Sequence, residues 1–80
     1  MSLIVYTKNG CGWCTEVVAF LRHKNLPFEE REVYSDDKYF KELVEKSGQE
    51  RTPTLDLDGA ILADTDTQAV EAWLKEKKVL

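Results

Sequence analysis

The sequence feature that most restricts the fold of this chain is a pair of cysteines, three positions apart, placed between a strand-like and a helix-like segment. The apolar, β-branched segment Leu3–Thr7 predicts a buried strand, and Lys8-Asn9-Gly10 predicts the loop that ends it. Cys11-Gly12-Trp13-Cys14 follows directly, and residues 15–25 repeat apolar side chains at helical spacing. The cysteines are therefore predicted to lie at the N-terminus of a helix.

The middle of the chain predicts one more strand and one more helix. A second strand is expected over residues 28–34, directly after Pro27, so that the first 34 residues form a βαβ unit. A second amphipathic helix is expected between Ser35-Asp36-Asp37, which offers N-cap oxygens, and Ser47-Gly48, which closes it.

The last third of the chain predicts a β-hairpin followed by a helix. Thr54–Leu57 alternates apolar and polar residues, Asp58-Gly59 is a strong turn signal, and residues 60–63 form the returning strand. Thr65 and Asp66 can cap the final helix. Its apolar face is predicted to consist of Ala69, Val70, Trp73 and Leu74. The predicted element order is βαβαββα.

Length and charge limit the range of functions. A chain of 80 residues can form one domain, predicted over residues 1–80, with one modest core. The formal net charge is −4 and no basic stripe is present, so nucleic-acid binding is not expected. No segment approaches membrane length, and residues 1–6 contain neither a basic leader nor a long apolar region. We expect a cytoplasmic, monomeric protein that does not bind membranes.

The cysteine pair itself predicts redox chemistry. A thiol attacks a disulfide only as thiolate, and an ordinary cysteine with a pKa near ~8.5 is mostly protonated at neutral pH. The free N–H groups and the macrodipole at a helix N-terminus stabilise such an anion, and Lys8 adds a cation in the preceding loop. We therefore assign Cys11 as the nucleophile and Cys14, one turn further into the helix, as the resolving cysteine.

Two alternatives for the cysteine pair are weaker. A structural disulfide across three residues would close a very small loop and would stabilise the fold little. A zinc site would need two more ligands, for which the chain offers only His23 and carboxylates. The position after a strand and at the start of a helix favours a redox motif.

The sequence resembles the glutaredoxin family over essentially its whole length. Residues 6–14, with Gly12 and Trp13 between the cysteines, resemble the family's strand, lysine and Cys-Pro-Tyr-Cys segment. Residues 47–54, which include Arg51-Thr52-Pro53, resemble its Gly-x-Arg-Thr-Val-Pro loop. The resemblance implies an α/β thioredoxin fold, with a four-stranded mixed sheet flanked by three helices.

The resemblance also implies a substrate site around the cysteines. The Thr52–Pro53 bond is expected to be cis and to turn the Thr52 backbone toward a bound peptide or glutathione cysteine. Lys8, Gln49 and Arg51 match the family's anchors for the glycine carboxylate of glutathione. Trp13 would offer an exposed aromatic contact to a disulfide partner.

A third match, residues 62–66, is partial. Family members usually carry Gly-Gly-x-Asp-Asp here, where the amides of a helix N-terminus and an acid hold the γ-glutamyl end of glutathione. Thr65 and Asp66 occupy the end of this segment, but both glycines are absent. Asp64 adds a negative charge beside the place where a glutathione carboxylate would dock.

These residues predict a dithiol thiol–disulfide oxidoreductase, an enzyme that reduces protein disulfides or glutathione mixed disulfides through Cys11 and Cys14. Glutathione is the expected co-substrate, no tightly bound cofactor or metal is expected, and glutathione or thioredoxin reductase would supply electrons. One alternative is a thioredoxin-reductase-dependent redoxin that donates electrons to another reductase. A second, motivated by Gly12, is a carrier whose Cys11 ligates a [2Fe–2S] cluster together with glutathione; it is not favoured.

Overall fold

The computed structural model describes residues 1–80 and contains four strands and three helices in the predicted order. In chain order, these elements are β1 Leu3–Thr7, α1 Gly12–His23, β2 Glu29–Glu32, α2 Asp37–Ser47, β3 Thr54–Leu57, β4 Ala60–Leu62 and α3 Thr67–Glu76. None of the helices has both the length and the apolar composition that a membrane span requires.

The boundaries of α1 differ from the prediction at both ends. The helix begins at Gly12 rather than at residue 15, because the Cys11 sulfur accepts the Cys14 N–H and so acts as its N-cap. It ends at His23, two residues early, and Asn25 then adopts a φ of 57° in the loop. Cys11 is therefore the N-cap of α1 and Cys14 lies in its first turn, which confirms the predicted position at the helix N-terminus.

The strand predicted over residues 28–34 is shorter in the structure, where β2 covers Glu29–Glu32. The Val33 N–H still donates to the Thr7 carbonyl at 2.8 Å, but the chain turns directly afterwards, with the Ser35 N–H bonded to the Glu32 carbonyl. The last strand, β4, similarly ends at Leu62, one residue before the prediction.

The four strands form one mixed sheet in the order β2-β1-β3-β4. The β1–β2 pair is parallel, which makes β1-α1-β2 a crossover unit, and the other two pairs are antiparallel. The register places Tyr6 opposite Thr54. The sheet therefore has the four-stranded mixed arrangement that the sequence resemblance implies.

Alternate residues of β1 face different helices. Leu3 and Val5 belong to a nine-residue apolar cluster that includes residues of α1 and α3, whereas Tyr6 belongs to a smaller cluster with Val33 and with Leu43 of α2. The α3 face matches the prediction for Val70 and Leu74, which are fully buried, and for Trp73, which packs partly buried against the larger cluster. The prediction is wrong for Ala69, which is exposed; a helix turns through about 100° per residue, so Ala69 faces away from the sheet beside Val70.

Candidate functional site

The two cysteines lie at the junction between β1 and α1. A short loop after β1 is closed by a 3.1 Å hydrogen bond from the Cys11 N–H to the Lys8 carbonyl, and Gly10 in this loop has a φ of 84°. Cys11 and Cys14 are paired as a disulfide, with their Cα atoms 5.2 Å apart. Cys11 is half-buried, whereas Cys14 is only 3% exposed. A partner molecule can therefore reach the sulfur of Cys11 but not that of Cys14.

The Cys11 sulfur is surrounded by hydrogen-bond donors. The Cys14 N–H donates to it at 3.2 Å, and the hydroxyl of Thr52 lies 3.7 Å away. The first turn of α1 contains no acidic residue that would oppose a negative charge. These donors, together with the positive end of the α1 dipole, favour the thiolate form of Cys11 once the disulfide is reduced.

The loop before β3 faces the cysteine pair. The Thr52–Pro53 peptide bond is cis, as the resemblance implies, and the Thr52 carbonyl oxygen lies 3.9 Å from the Cys11 sulfur. Pro53 is buried, and its carbonyl accepts the Thr65 N–H at 3.0 Å. The structure thus brings Thr52 and Pro53 next to Cys11, and Thr65 behind them.

Gln49 is turned into this loop rather than toward the solvent. Its side-chain Nε2 donates to the hydroxyls of Ser47 at 2.7 Å and of Thr54 at 3.2 Å, and its Oε1 accepts the Arg51 N–H at 2.6 Å. Both polar ends of the side chain are therefore occupied within the protein. Gln49 shapes the loop that carries Thr52.

The other residues that the sequence assigns to glutathione also have partners inside the chain. Arg51 is 77% exposed, and its Nη1 lies 3.6 Å from the Asp64 carboxylate. Asp66 is the N-cap of α3 and accepts the Ala69 N–H at 2.9 Å. The buried Thr65 contacts the loop through its backbone. Arg51 is the member of this set whose charged group is most open to a ligand.

Two exposed aromatic side chains flank the cysteine region. Trp13 is 63% exposed at the start of α1, and Tyr34 is 67% exposed after β2. The Lys8 ammonium lies 5.8 Å from the centre of the Tyr34 ring, a cation–π distance. The sequence prediction missed Tyr34, although the parallel pairing of β1 and β2 places the residues that follow both strands at one edge of the sheet.

A polar groove of about 340 Å³ lies on the other side of the cysteine pair, between α1 and β2. Cys14 and Thr7 line its floor, and Lys8, Arg22 and Glu30 line its rim. The Thr7 hydroxyl donates to the Glu30 carboxylate at 2.9 Å in this region. Cys14 thus borders this groove, although only 3% of its surface is exposed.

A thioredoxin-type fold with a cysteine pair at the start of its first helix defines a thiol redox protein. The sequence matches the Glutaredoxin family model over residues 3–62, and the chain therefore belongs to the glutaredoxin family.

Individual relatives agree with this assignment. The chain is 25% identical over 72 residues to an uncharacterized glutaredoxin-like 8.6 kDa protein of the rubredoxin operon of Clostridium pasteurianum, covering 90% of this chain and 96% of that protein. It is 30% identical over 57 residues to N-acetyl-S-hydroxy-L-cysteine reductase of Bacillus subtilis, covering 71% and 61% of the two chains. The second match spans less than two thirds of that reductase's own length.

Solved structures show the same fold. The thioredoxin-like protein BC3987 superposes with a TM-score of 0.82 at 30% identity, over 89% of this chain and 97% of that one. A glutaredoxin from Archaeoglobus fulgidus superposes with a TM-score of 0.80 at 14% identity, over 92% and 86% of the two chains. The second likeness concerns the fold alone.

Proposed function

We propose that this protein is a dithiol thiol–disulfide oxidoreductase that reduces protein disulfides or glutathione mixed disulfides through Cys11 and Cys14. The observation that carries the proposal is the environment of the Cys11 sulfur, which is half-buried between the Cys14 N–H at 3.2 Å and the Thr52 hydroxyl at 3.7 Å. A sulfur in this position is open to a partner and has donors for its negative charge.

The reaction has two exchange steps. The Cys11 thiolate attacks one sulfur of the substrate disulfide, a Cys11–substrate disulfide forms, and the first thiolate of the substrate leaves and takes up a proton. The Cys14 thiol then loses its proton and attacks Cys11, which forms the internal disulfide and releases the second substrate thiol. Two electrons pass from the cysteine pair to the substrate.

The surrounding residues receive supporting roles in this proposal. Thr52, whose carbonyl oxygen is 3.9 Å from the Cys11 sulfur, would pair with the backbone of the substrate cysteine. Pro53 is buried beneath it and fixes the direction of the Thr52 carbonyl. Trp13, with 63% of its surface exposed, would pack against apolar groups near the substrate disulfide.

The reductant that restores the dithiol is proposed to be glutathione or thioredoxin reductase. A side-by-side assay tests this: reduction of a glutathione mixed disulfide coupled to glutathione reductase, against reduction of the protein by thioredoxin reductase and NADPH. Activity with glutathione supports the glutaredoxin-type reaction. Activity only with thioredoxin reductase would replace it by the reductase-dependent redoxin alternative.

Single cysteine variants test the roles of the two sulfurs. Cys11→Ser is expected to abolish reduction of every disulfide, because no other thiol is accessible. Cys14→Ser is expected to abolish reduction of protein disulfides but to retain exchange with glutathione mixed disulfides, which needs only one cysteine. His23→Gln, at the far end of α1, serves as the control and should retain full activity. Retained activity in Cys11→Ser would contradict the proposal.

A further inference from the structure

Near the cysteine pair, the exposed cation Arg51 is paired with a carboxylate of the same chain, that of Asp64. Arg51 and Asp64 are 77% and 52% exposed, and Nη1 of the guanidinium is 3.6 Å from Oδ2 of the carboxylate. The two residues come from different loops, one before β3 and one after β4. Their pairing therefore depends on how these two loops pack together.

Two hydrogen bonds join the loop after β4 to residues 53–54, and a third ties Thr54 to Arg51 within the segment before β3. The Asp64 N–H donates to the Thr54 hydroxyl at 3.3 Å, and the same hydroxyl donates to the Arg51 carbonyl at 2.8 Å. The Thr65 N–H donates to the Pro53 carbonyl at 3.0 Å. The backbone at Asp64 thus has a defined position relative to the loop that contacts the Cys11 sulfur.

The ion pair adjoins the residue that contacts the Cys11 sulfur. Thr52, which lies within 4 Å of the Cys11 sulfur, is the direct neighbour of Arg51 in the chain. The side chain of Asp66 next to the pair already caps α3, and Lys8 on the opposite side lies over the Tyr34 ring. Arg51 is therefore the cation on this side of Cys11 that an anionic substrate would need, and Asp64 competes for it.

We propose, building on the function proposed above, that Asp64 determines substrate charge preference: it withholds Arg51 from anionic disulfides and favours disulfides with a positive charge beside the sulfur. The disfavoured class includes glutathione disulfide and other carboxylate-bearing small disulfides. The favoured class is a disulfide flanked by ammonium or guanidinium groups. The half-exposed Asp64 carboxylate attracts these groups, and they do not need Arg51 as a partner.

Asp64→Asn is the variant that isolates the charge. Asp64 has a φ of 50°, a left-handed conformation that asparagine adopts nearly as readily as aspartate. The substitution keeps the backbone N–H bond to Thr54 and removes only the negative charge. Glu76→Gln, at the last residue of α3, changes the net charge equally and is the matched control.

The experiment measures second-order rate constants for oxidation of the reduced protein by three small symmetrical disulfides at low ionic strength. Cystamine carries two ammonium groups, hydroxyethyl disulfide is neutral, and dithiodipropionate carries two carboxylates. The same disulfides with dithiothreitol give the intrinsic reactivity order for each charge type. Thermal unfolding of each variant verifies that it is folded.

We expect Asp64→Asn to raise the rate with dithiodipropionate relative to cystamine by up to about five-fold, the upper limit that an exposed charge pair supports. The neutral disulfide should change little, and high salt should remove the difference. In an Arg51→Gln background the same substitution should have a smaller effect, because the cation that it frees is gone.

The outcomes separate this proposal from the proposed function. If wild-type protein reacts with all three disulfides but the ratio is unchanged in Asp64→Asn, the charge preference is wrong and the oxidoreductase function stands. An equal change in Glu76→Gln would likewise overturn it, because the effect would then follow net charge alone. If the reduced wild-type protein reacts with none of the disulfides, both proposals fail.

Discussion

The buried cluster between the sheet and helices α1 and α3 is apolar, whereas the face covered by α2 holds a network of charged side chains. The apolar cluster on the first face has nine buried residues, and the cluster on the second has three. The residues on the first face contribute stability mainly through burial of apolar surface, which is insensitive to pH. The second face adds titratable groups to its smaller core.

Tyr6 is the centre of the polar network. It is fully buried, its hydroxyl donates to the Glu42 carboxylate at 2.9 Å, and it accepts a hydrogen bond from the Lys46 ammonium at 2.7 Å. Lys46 also donates to Asp56 at 2.8 Å, and Arg31 is hydrogen-bonded to Glu42. The network thus joins β1, β2, β3 and α2.

The cysteines belong to the apolar face, because Cys14 is on α1. Because the polar network lies on the other face of the sheet, substitutions there can change stability without changing the chemistry of the cysteine sulfurs. Substitutions in the polar network should alter the free energy of unfolding and its pH dependence while the environment of Cys11 stays the same. The following predictions test the difference between the two faces.

The largest effect is expected in the apolar cluster. Leu55→Ala on β3 removes a fully buried side chain from its centre and should lower the free energy of unfolding by about 3–5 kcal/mol. Urea unfolding of the oxidised protein measures this loss. Leu80→Ala, at the 40% exposed last residue, is the control and should cost little.

Leu43→Ala tests whether the smaller cluster tolerates loss better. Leu43 is as fully buried as Leu55, but its neighbours Tyr39 and Phe40 are only partly buried and can move into the space. We therefore expect a loss of about 2–3 kcal/mol, at the lower end of such substitutions. Equal losses of free energy at Leu43 and Leu55 would show that the two clusters tolerate the removal of a buried side chain equally well.

The next largest effect is expected from Asp56 in the polar network. Asp56→Ala leaves the Lys46 ammonium without its carboxylate and removes the acceptor of the Gly59 N–H. Because Lys46 is partly exposed and water can replace some of the interaction, we expect a loss of about 1–2 kcal/mol. Glu45→Ala, an exposed substitution on the same helix α2, is the control in the same urea titration. A cost in Glu45→Ala equal to that in Asp56→Ala would contradict the role of the network.

Sequence periodicity predicted the elements because buried residues recur at strand or helix spacing. It placed the start of α1 too late because a cysteine is not a usual N-cap residue, and no pattern reveals that the Cys11 sulfur accepts the Cys14 N–H. It extended β2 too far because Glu29–Glu32 is charged throughout and has no apolar alternation to mark its end. The four-stranded mixed sheet came from the family resemblance, and the order of its strands was not predicted, since periodicity does not encode which strands are neighbours.

At the candidate site, the spacing of the cysteines placed the Cys11–Cys14 pair at a helix start, and the family resemblance supplied the cis Thr52–Pro53 bond. The internal bonds of Gln49 and the Arg51–Asp64 pair could not be predicted in the same way. They depend on the packing of two loops that are separated in sequence by a β-hairpin. The roles of these residues in substrate binding stay predictions.

The pH dependence of stability should originate in the polar face. Burial raises the pKa of Tyr6, and so does its hydrogen bond to Glu42. Burial alone would lower the pKa of Lys46, but hydrogen bonds to Asp56 and Tyr6 raise it overall. Both groups hold their protons more tightly in the folded than in the unfolded protein.

The oxidised protein should therefore lose stability in alkali. The contribution of both groups is complete below their unfolded pKa values of 10.0 and 10.5 and is lost as the pH rises through the folded values. The slope is at most about 1.4 kcal/mol per pH unit for each group. Urea unfolding from about pH 8 to pH 11 measures it, and the disulfide keeps the cysteines from titrating.

Tyr6→Phe sharpens this prediction because it removes one titrating group and one partner of Lys46. We expect the variant to show a shallower alkaline loss than the wild type, whereas Tyr34→Phe, at an exposed tyrosine, should match the wild type. An unchanged slope in Tyr6→Phe would place the pH dependence outside the network.

The smallest effect is expected at the start of α1, and it should be a gain. Gly12 is the first residue of the helix, where proline is favoured because its missing N–H and fixed φ cost nothing. Cys11 before it has φ −88° and ψ 109°, an extended conformation that suits a residue preceding proline. Apart from Gly12, its two chain neighbours and the nearby backbone of α1, no heavy atom lies within 4 Å of the position that a Cβ would take at Gly12.

Gly12→Pro should therefore raise the free energy of unfolding of the oxidised protein by about 0.4–1 kcal/mol, through lower entropy of the unfolded chain. Gly10→Ala is the matched comparison in the same loop: its φ of 84° should make that variant about 1–2 kcal/mol less stable. Because the substitution at Gly12 involves no titratable group, the gain should be equal at neutral and alkaline pH. A gain that disappears in alkali would show that the start of α1 is coupled to the polar face, against the independence of the two faces.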